Sequence, residues 1–177
     1  GYYNVYLHDA RVNGELTASA RTGVHRYTFD EGVDAWVNLD LLHRDKLIKS
    51  GIVAVGDREV VGERRSYSWA NDQRLFFCIR FSTPWTEQVV GMSGQDTTSL
   101  LLGFGELRSP LIVKVGISAV SIEGARANLD AEVPHWDFDL VRKQAEDAWN
   151  AKLNKIKVEG GTKEQQRIFY TALYHCY

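Results

Sequence analysis

Cysteine is scarce in this chain, with two among 177 residues, as are proline, at three, and methionine, at one. Two cysteines cannot build the disulfide framework that staples small secreted domains. Cys78 lies inside the apolar run RLFFCIRF and reads as a buried small hydrophobe, and Cys176 as a separate thiol near the chain end. There is no proline-rich or other low-complexity linker and no internal repeat. Charge of one sign is never concentrated: 21 Lys and Arg face 23 Asp and Glu, for a net charge of −2. That balance removes the electrostatic footprint of a nucleic-acid binder. The longest apolar runs, such as SLLLGFG, are too short to span a bilayer. The five histidines (His8, His25, His43, His135 and His175) form no pair at metal-ligand spacing, which argues against a structural zinc site. EF-hand loops and a nucleophile elbow are missing too. His43-Arg44-Asp45 matches three letters of a kinase catalytic loop, but neither a metal-binding Asn nor a glycine-rich loop accompanies it, so it reads as a solvated strand end. No signal peptide precedes GYYNVYL, and both ends are expected to continue into a longer protein.

What the chain does have is a succession of short β-prone runs. YYNVYLHDARV, ELTASARTGVHRYTF, DAWVNLDLL, GIVAVGD, REVVGERRSYSWA, RLFFCIRFST, TEQVVGM, SLLLGFGEL and PLIVKVGISAV follow one another through the first 120 or so residues. Turn residues separate them at Gly32, Gly51, Gly56-Asp57, Asn71-Asp72 and Ser109-Pro110. Asn13-Gly14 is the dipeptide of a type I′ hairpin, and Gly23 marks a bulge or bend. Many short strands with regular turn signals predict an antiparallel sandwich or barrel.

The period changes after Ser121. Ser121 can cap a helix over IEGARANLDAE, which Pro134 ends. Asp137 can cap a longer helix whose stripe runs Phe138, Val141, Ala145, Ala148, Trp149 and Leu153. KIKVE (155–159) reads as a short strand. Thr162 and Gln165 then form a capping box, followed by a stripe of Ile168, Phe169, Ala172, Leu173 and Cys176 that no Gly, Asn or Pro closes. The partner of that stripe is the preceding helix, a second copy of the chain, or helices beyond it. Strands followed by helices predict two domains in series or an α+β unit.

Candidate binding residues come from the aromatics. A flat ring beneath the apolar face of a pyranose, with amides and carboxylates gripping hydroxyls, makes a sugar site. Trp69 stands beside Asn71 and Asp72 in a predicted loop, and Trp85 beside a turn, so these four residues are the candidates for carbohydrate. The competing reading packs Trp69 and Trp85 over the sandwich ends or against a second domain; Trp36 and Trp149 are expected in the core. Glycoside hydrolysis needs two carboxylates flanking a bond. Twenty-three acidic residues offer too many pairs to single one out.

Longer motifs go further. VGIS (115–118), GARANLDAE (124–132), WDFD (136–139), AWN (148–150) and FYTALYH (169–175), with GYYNVYL and ELTASARTGVHRYTF near the start, closely resemble glycoside hydrolase family 92, the exo-acting α-mannosidases. The resemblance implies a mainly β fold with C-terminal helices: a galactose-mutarotase-like supersandwich, then linker helices leading to an (α/α)6 catalytic barrel. On that template residues 1–121 are the sandwich, incomplete at its start, 122–161 the linker helices, and 162–177 the first barrel helix. It further implies a parent enzyme, periplasmic or extracellular, that removes terminal α-linked mannose, α-1,2 foremost, from N-glycans or mannans with inversion and calcium dependence. The family's acid, base and calcium-associated residues lie in the barrel, so no catalytic residue, metal ligand or calcium site is carried to any position here. His25 and Arg26 match the family pattern without an assignable role. The implied partners are mannose-containing glycans, the helical catalytic domain and, through the last helix, another copy of the chain. A stand-alone carbohydrate-binding module and a purely structural sandwich remain the alternatives.

Overall fold

The computed structural model describes the whole chain, Gly1–Tyr177. The alternating runs form ten strands: β1 (Tyr2–Leu7), β2 (Val12–Ala18), β3 (Thr22–Phe29), β4 (Asp34–Asp40), β5 (Lys46–Val55), β6 (Glu59–Tyr67), β7 (Gln73–Phe81), β8 (Glu87–Ser93), β9 (Asp96–Glu106) and β10 (Leu111–Ser118). Three helices follow: α1 (Ile122–Glu132), α2 (Phe138–Leu153) and α3 (Lys163–Tyr174). The strands pair antiparallel throughout, in a seven-stranded sheet of order β1-β2-β3-β10-β7-β6-β5 and a three-stranded sheet of order β4-β9-β8. The mainly β sandwich with C-terminal helices is therefore the fold.

β7 shows how the strand period builds the layers. Phe77, Ile79 and Phe81 enter the core between the two sheets, with Leu100, Leu102 and Phe104 of β9 opposite them. Cys78, one residue out of phase, points to the other face, where it meets Ala125 and Leu129 of α1. A strand apolar on both faces belongs in the middle of a layered domain, and β7 lies between β10 and β6.

The helices cover that second face. Gly116 of β10 lets α1 approach the sheet directly: a Cβ built there would lie 2.7 Å from the Leu129 Cβ, closer than real side chains allow. Alongside, Val133, Phe138 and Val141 close over Val24 of β3. The order is helices, large sheet, small sheet, so α1 and α2 form an α+β unit with the strands.

Several local expectations give way to longer-range constraints. Asn13-Gly14 is not a hairpin but lies inside β2, where Gly14 pairs with Val5 and Tyr27. The chain reverses earlier, and Arg11, at φ 49°, donates its N–H to the His8 carbonyl at 3.3 Å. Gly23 pairs in continuous register with Ala18 and Val115, so it forms no bulge. Gly51 is not a turn but sits within β5 opposite Glu63. KIKVE is irregular chain rather than a strand, with no neighbouring edge to pair with.

The three predicted caps are present. Ser121, Asp137 and Thr162 accept the N–H of Gly124, Leu140 and Gln165, and Thr162 with Gln165 completes the capping box. α3 contains no buried residue. It leans on α2 through its tyrosine side: Tyr174 lies 4.5 Å from Trp149, centroid to centroid, and the Tyr170 hydroxyl accepts the Val158 N–H at 3.4 Å. The adjoining face stays in solvent, with Ile168 63% exposed.

Candidate functional site

The β6–β7 hairpin carries three of the four residues expected to meet carbohydrate. Arg65 and Arg74 are direct cross-strand partners, an arrangement whose like charges repel. Asp72, in the loop, accepts from both, at 2.9 Å from Arg65 Nη2 and 2.8 Å from Arg74 Nη2. Arg65 foremost and Arg74 next pull its pKa down to about 2. Asp72 therefore holds the hairpin closed. Trp69 stands at its tip, 93% exposed, and Asn71 beside it is also exposed.

Trp85 is elsewhere. It follows the other end of β7, roughly 30 Å along the strand from Asp72 at ~3.3 Å per residue. It is 8% exposed and belongs to the inter-sheet core, edge-on to Phe81 at 5.7 Å. Its ring is spent on packing, so Trp85 is no platform for a sugar. Trp36 and Trp149, expected in the core, are each half-buried: Trp36 donates Nε1–H to Asp34 at 2.8 Å, and Trp149 stacks on Tyr174.

A second, larger constellation joins the helices to the seven-stranded sheet. Glu15 of β2 grips Arg26 of β3 through two bonds, at 2.6 and 2.7 Å, and Arg26 reaches on to Asp139 of α2 at 2.8 Å. The Arg26 guanidinium also lies 4.3 Å from the Phe138 ring centroid. Arg26 chiefly, with the Tyr2 hydroxyl, holds the Glu15 carboxyl below the usual range against the opposing effect of burial. Further along, Glu59 of β6 binds Arg80 of β7 at 2.7 Å and Arg126 of α1 at 2.6 Å, while Arg80 extends to Asp130. Burial would raise the Glu59 pKa, but the two guanidinium groups outweigh it and the net direction is down. Glu132, at the end of α1, accepts from the Ser19 hydroxyl at 2.5 Å and the Arg21 N–H at 2.8 Å.

Lys114 completes the junction. It is 3% exposed, and its ammonium donates to the Val133 carbonyl at 2.9 Å and the His135 carbonyl at 3.3 Å. Those carbonyls belong to the turn between α1 and α2, so one side chain of β10 fixes how the helices bend. Apart from Arg26, noted in the family pattern without a role, these residues escaped sequence reasoning. The available signal was charge at Arg26, Glu59 and Arg80 sharing a strand face with the apolar Val24, Val61 and Cys78, a mixture that a solvated face would not need.

His25, the other residue of the family pattern, faces the opposite way. It lines an apolar cavity of about 260 Å³ between the sheets and shares a 2.9 Å hydrogen bond with the Tyr27 hydroxyl. Burial lowers the His25 pKa and raises that of Tyr27.

The chemistry open to this chain follows from its carboxylates. Those with displaced pKa values (Glu15, Glu59, Asp72, Glu123 and Glu132) are all displaced downward, toward permanent ionisation. A glycosidase acid needs the reverse displacement, so that it carries a proton to the leaving oxygen. No three His, Cys, Asp or Glu side chains come together as a group that could hold a metal ion. The arrangement is suited to bracing one layer against another.

Comparison with known proteins agrees in outline. Residues 1–118 match the model of the glycosyl hydrolase family 92 N-terminal domain, and residues 124–177 that of the family 92 catalytic domain. A family GH92 α-mannosidase from Bacteroides thetaiotaomicron, solved alone and with mannoimidazole, superposes with a TM-score of 0.83 at 25% identity. That alignment of the unliganded enzyme covers 98% of this chain and 26% of the other. A family GH92 inverting mannosidase from the same species, strain VPI-5482, gives a TM-score of 0.86 at 28% identity, over 98% of this chain and 25% of the other. An uncharacterized secreted glycosidase of Arthroderma benhamiae is 38% identical over 65 residues, which is 34% of this chain and 8% of that protein. The chain thus spans about a quarter of the length of these solved structures and much less of the secreted relative. No helix is long and apolar enough to cross a membrane.

Proposed function

Because the chain belongs to glycosyl hydrolase family 92, we propose that it is the bracing sandwich of an α-mannosidase. In this reading residues 1–121 are the sandwich, 122–161 the linking helices and 162–177 the first helix of the catalytic barrel. The parent removes terminal α-linked mannose, α-1,2 linkages foremost, from N-glycans or mannans by inverting hydrolysis outside the cytoplasm. Calcium serves that reaction in the barrel portion, where it would help to bind and distort the sugar through its hydroxyls.

The observation that carries this reading is the junction. Arg26 and Lys114 bind α2 and the α1–α2 turn to the sheet through charge-assisted hydrogen bonds. The helices that lead toward the catalytic portion are therefore held in one orientation, as a scaffold requires. The exposed stripe of α3 is the face the barrel would cover.

Purified residues 1–177, given α-1,2-mannobiose with excess calcium, should show no hydrolysis. The parent enzyme should release mannose of inverted anomeric configuration by NMR and stop when calcium is chelated. Chelator-sensitive turnover by residues 1–177 alone would overturn the scaffold reading. A stand-alone carbohydrate-binding role is favoured by one feature, the exposed Trp69 ring beside Asn71 and Asp72. Calorimetric titration with mannose oligomers separates the two: saturable binding abolished in Trp69→Ala supports the module, and absence of heat supports the scaffold.

A further inference from the structure

The outward face of the three-stranded sheet is bare: no helix or strand is layered over it. Strand register sets what this face carries. Trp36 of β4, Gly103 of β9 and Glu87 of β8 stand in one row across the sheet, and Asn38, Leu101 and Val89 in the next. Leu100, Leu102 and Phe104, out of phase with these, fill the core on the other side. The mannosidase reading gives the outward face no role.

Gly103 determines how the Trp36 ring lies. A Cβ built on it would sit 2.8, 2.9 and 3.0 Å from the Cη2, Cζ3 and Cζ2 atoms of that ring. Three adjacent ring atoms at nearly one distance mean that the ring meets Gly103 with its flat face rather than its edge. Any side chain at position 103 would push the ring off the sheet. The Nε1–H, donated to Asp34 at 2.8 Å, fixes its remaining rotation. One flat face of the ring therefore rests on the backbone, in keeping with its half-buried state, and the other points away from the protein.

The surroundings of the ring are polar. Asn38 lies two residues along β4, ~7 Å away, and Glu87 two strands across, ~10 Å away, at ordinary sheet spacings. Both are exposed, and neither is paired with another side chain. A six-membered sugar ring laid on Trp36 thus has an amide and a carboxylate within reach on two sides. Trp69, 93% exposed at its hairpin tip, has no comparable support beneath it. The apolar part of the face, one ring with Leu101 and Val89, is small and interrupted by these polar groups, unlike the broad apolar centre of a protein interface.

We propose that this face binds a neutral glycan chain, stacking one pyranose on Trp36 while Glu87 and Asn38 take its hydroxyls. The apolar C–H face of a pyranose matches a flat aromatic ring, and its rim of hydroxyls matches an amide and a carboxylate. A ring already fixed by Gly103 and Asp34 loses little freedom when the sugar arrives, which favours binding. The small sheet lies on the far side of the large one from the helices, so a chain held here stays clear of the junction formed by Arg26 and Lys114. Mannan as the glycan rests on the mannosidase reading; the stacking site does not.

The test is titration of residues 1–177 with α-1,6-mannopentaose and cellopentaose, followed by calorimetry and by NMR of the tryptophan Nε1–H signals. Mannopentaose should bind saturably and shift the Trp36 signal while those of Trp69 and Trp85 stay in place. Gly103→Ala touches no sugar but tilts the ring, and should weaken binding about tenfold. Glu87→Ala, at an exposed position, should weaken it about threefold with the fold intact. It keeps the test decisive even if Gly103→Ala fails to fold. Trp69→Ala should leave the affinity unchanged. Absence of saturable binding to either sugar, a shift confined to Trp69, or an affinity unaltered by Glu87→Ala would overturn the proposal. Equal affinity for cellopentaose supports the stacking site and counts only against mannan as the glycan.

Discussion

The ammonium of Lys114 lies 4.1 Å from the centroid of the Trp136 ring, buried beneath the turn that joins α1 to α2. A desolvated cation over an aromatic face contributes on the order of 2 kcal/mol, and here it also satisfies two backbone carbonyls. Burial lowers the Lys114 pKa, yet its donors are all directed at acceptors or the ring.

Lys114→Met keeps the stem and removes the charge. The carbonyls of Val133 and His135 then lose their donor, at a cost of about 1–3 kcal/mol for a buried unsatisfied group. Urea unfolding should show that loss, while Glu146→Gln, at an exposed position of α2, should change stability by no more than about 0.5 kcal/mol.

Glu59 ties β6 to β7 and α1, and Glu59→Gln leaves Arg80 and Arg126 without its charge. Breaking such a partly buried pair costs about 1–3 kcal/mol, between the values for exposed and fully buried pairs. The pH dependence has a definite sign. A carboxyl held below its unfolded pKa contributes fully above that unfolded value and loses its contribution as the pH falls through the folded value. Acid unfolding followed by circular dichroism should therefore begin below about pH 4.5 in the native chain, and its slope should be shallower in Glu59→Gln.

His25 acts in a neighbouring pH window. Its folded pKa is lowered by burial, so below the unfolded value of about 6.5 the unfolded chain takes up a proton that the folded chain resists. Stability is full above that value and declines as the pH falls toward the folded pKa, by at most about 1.4 kcal/mol per pH unit. His25→Gln preserves a partner for the Tyr27 hydroxyl and should remove the decline between about pH 6.5 and 5.5. Denaturant titrations at the two pH values measure it directly.

The cysteines should differ sharply in reactivity. Cys78 is fully buried, and burial, aided by the nearby Glu59 charge, raises its thiol pKa to about 11. Cys176 is exposed. A disulfide-exchange reagent at neutral pH should modify Cys176 alone in the native chain and both thiols after unfolding, because only a thiolate within reach attacks. Rapid modification of both in the native state would show that α1 does not stay on the sheet.

The features legible in sequence were those decided within a few residues. The caps at Ser121, Asp137 and Thr162 depend on a side chain reaching a backbone group three residues on, and each is where the pattern placed it. The longer family motifs carried the fold class as well. Asn13-Gly14 misled because it is a turn dipeptide only when its neighbours leave it free; between β1 and β3, Gly14 pairs with Val5 and Tyr27 in the ladder instead.

Trp69 and Trp85 mark the boundary between the two kinds of information. Each stands near turn residues, and their local sequences offered no reason to separate them. One is 93% exposed and the other 8%, because only the Trp85 end of β7 lies beneath the three-stranded sheet. By itself the sequence determined the succession of strands followed by helices, the helix starts and the family, since these rest on short-range periodicity and contiguous motifs. Tertiary structure alone decided that Arg26 and Glu59 would meet the helices and Lys114 the turn between them, and that Arg64 would gather the loop between β4 and β5. Such contacts depend on strand order, and β10 joins β3 to β7 across stretches of chain whose residues carry no local mark of the pairing.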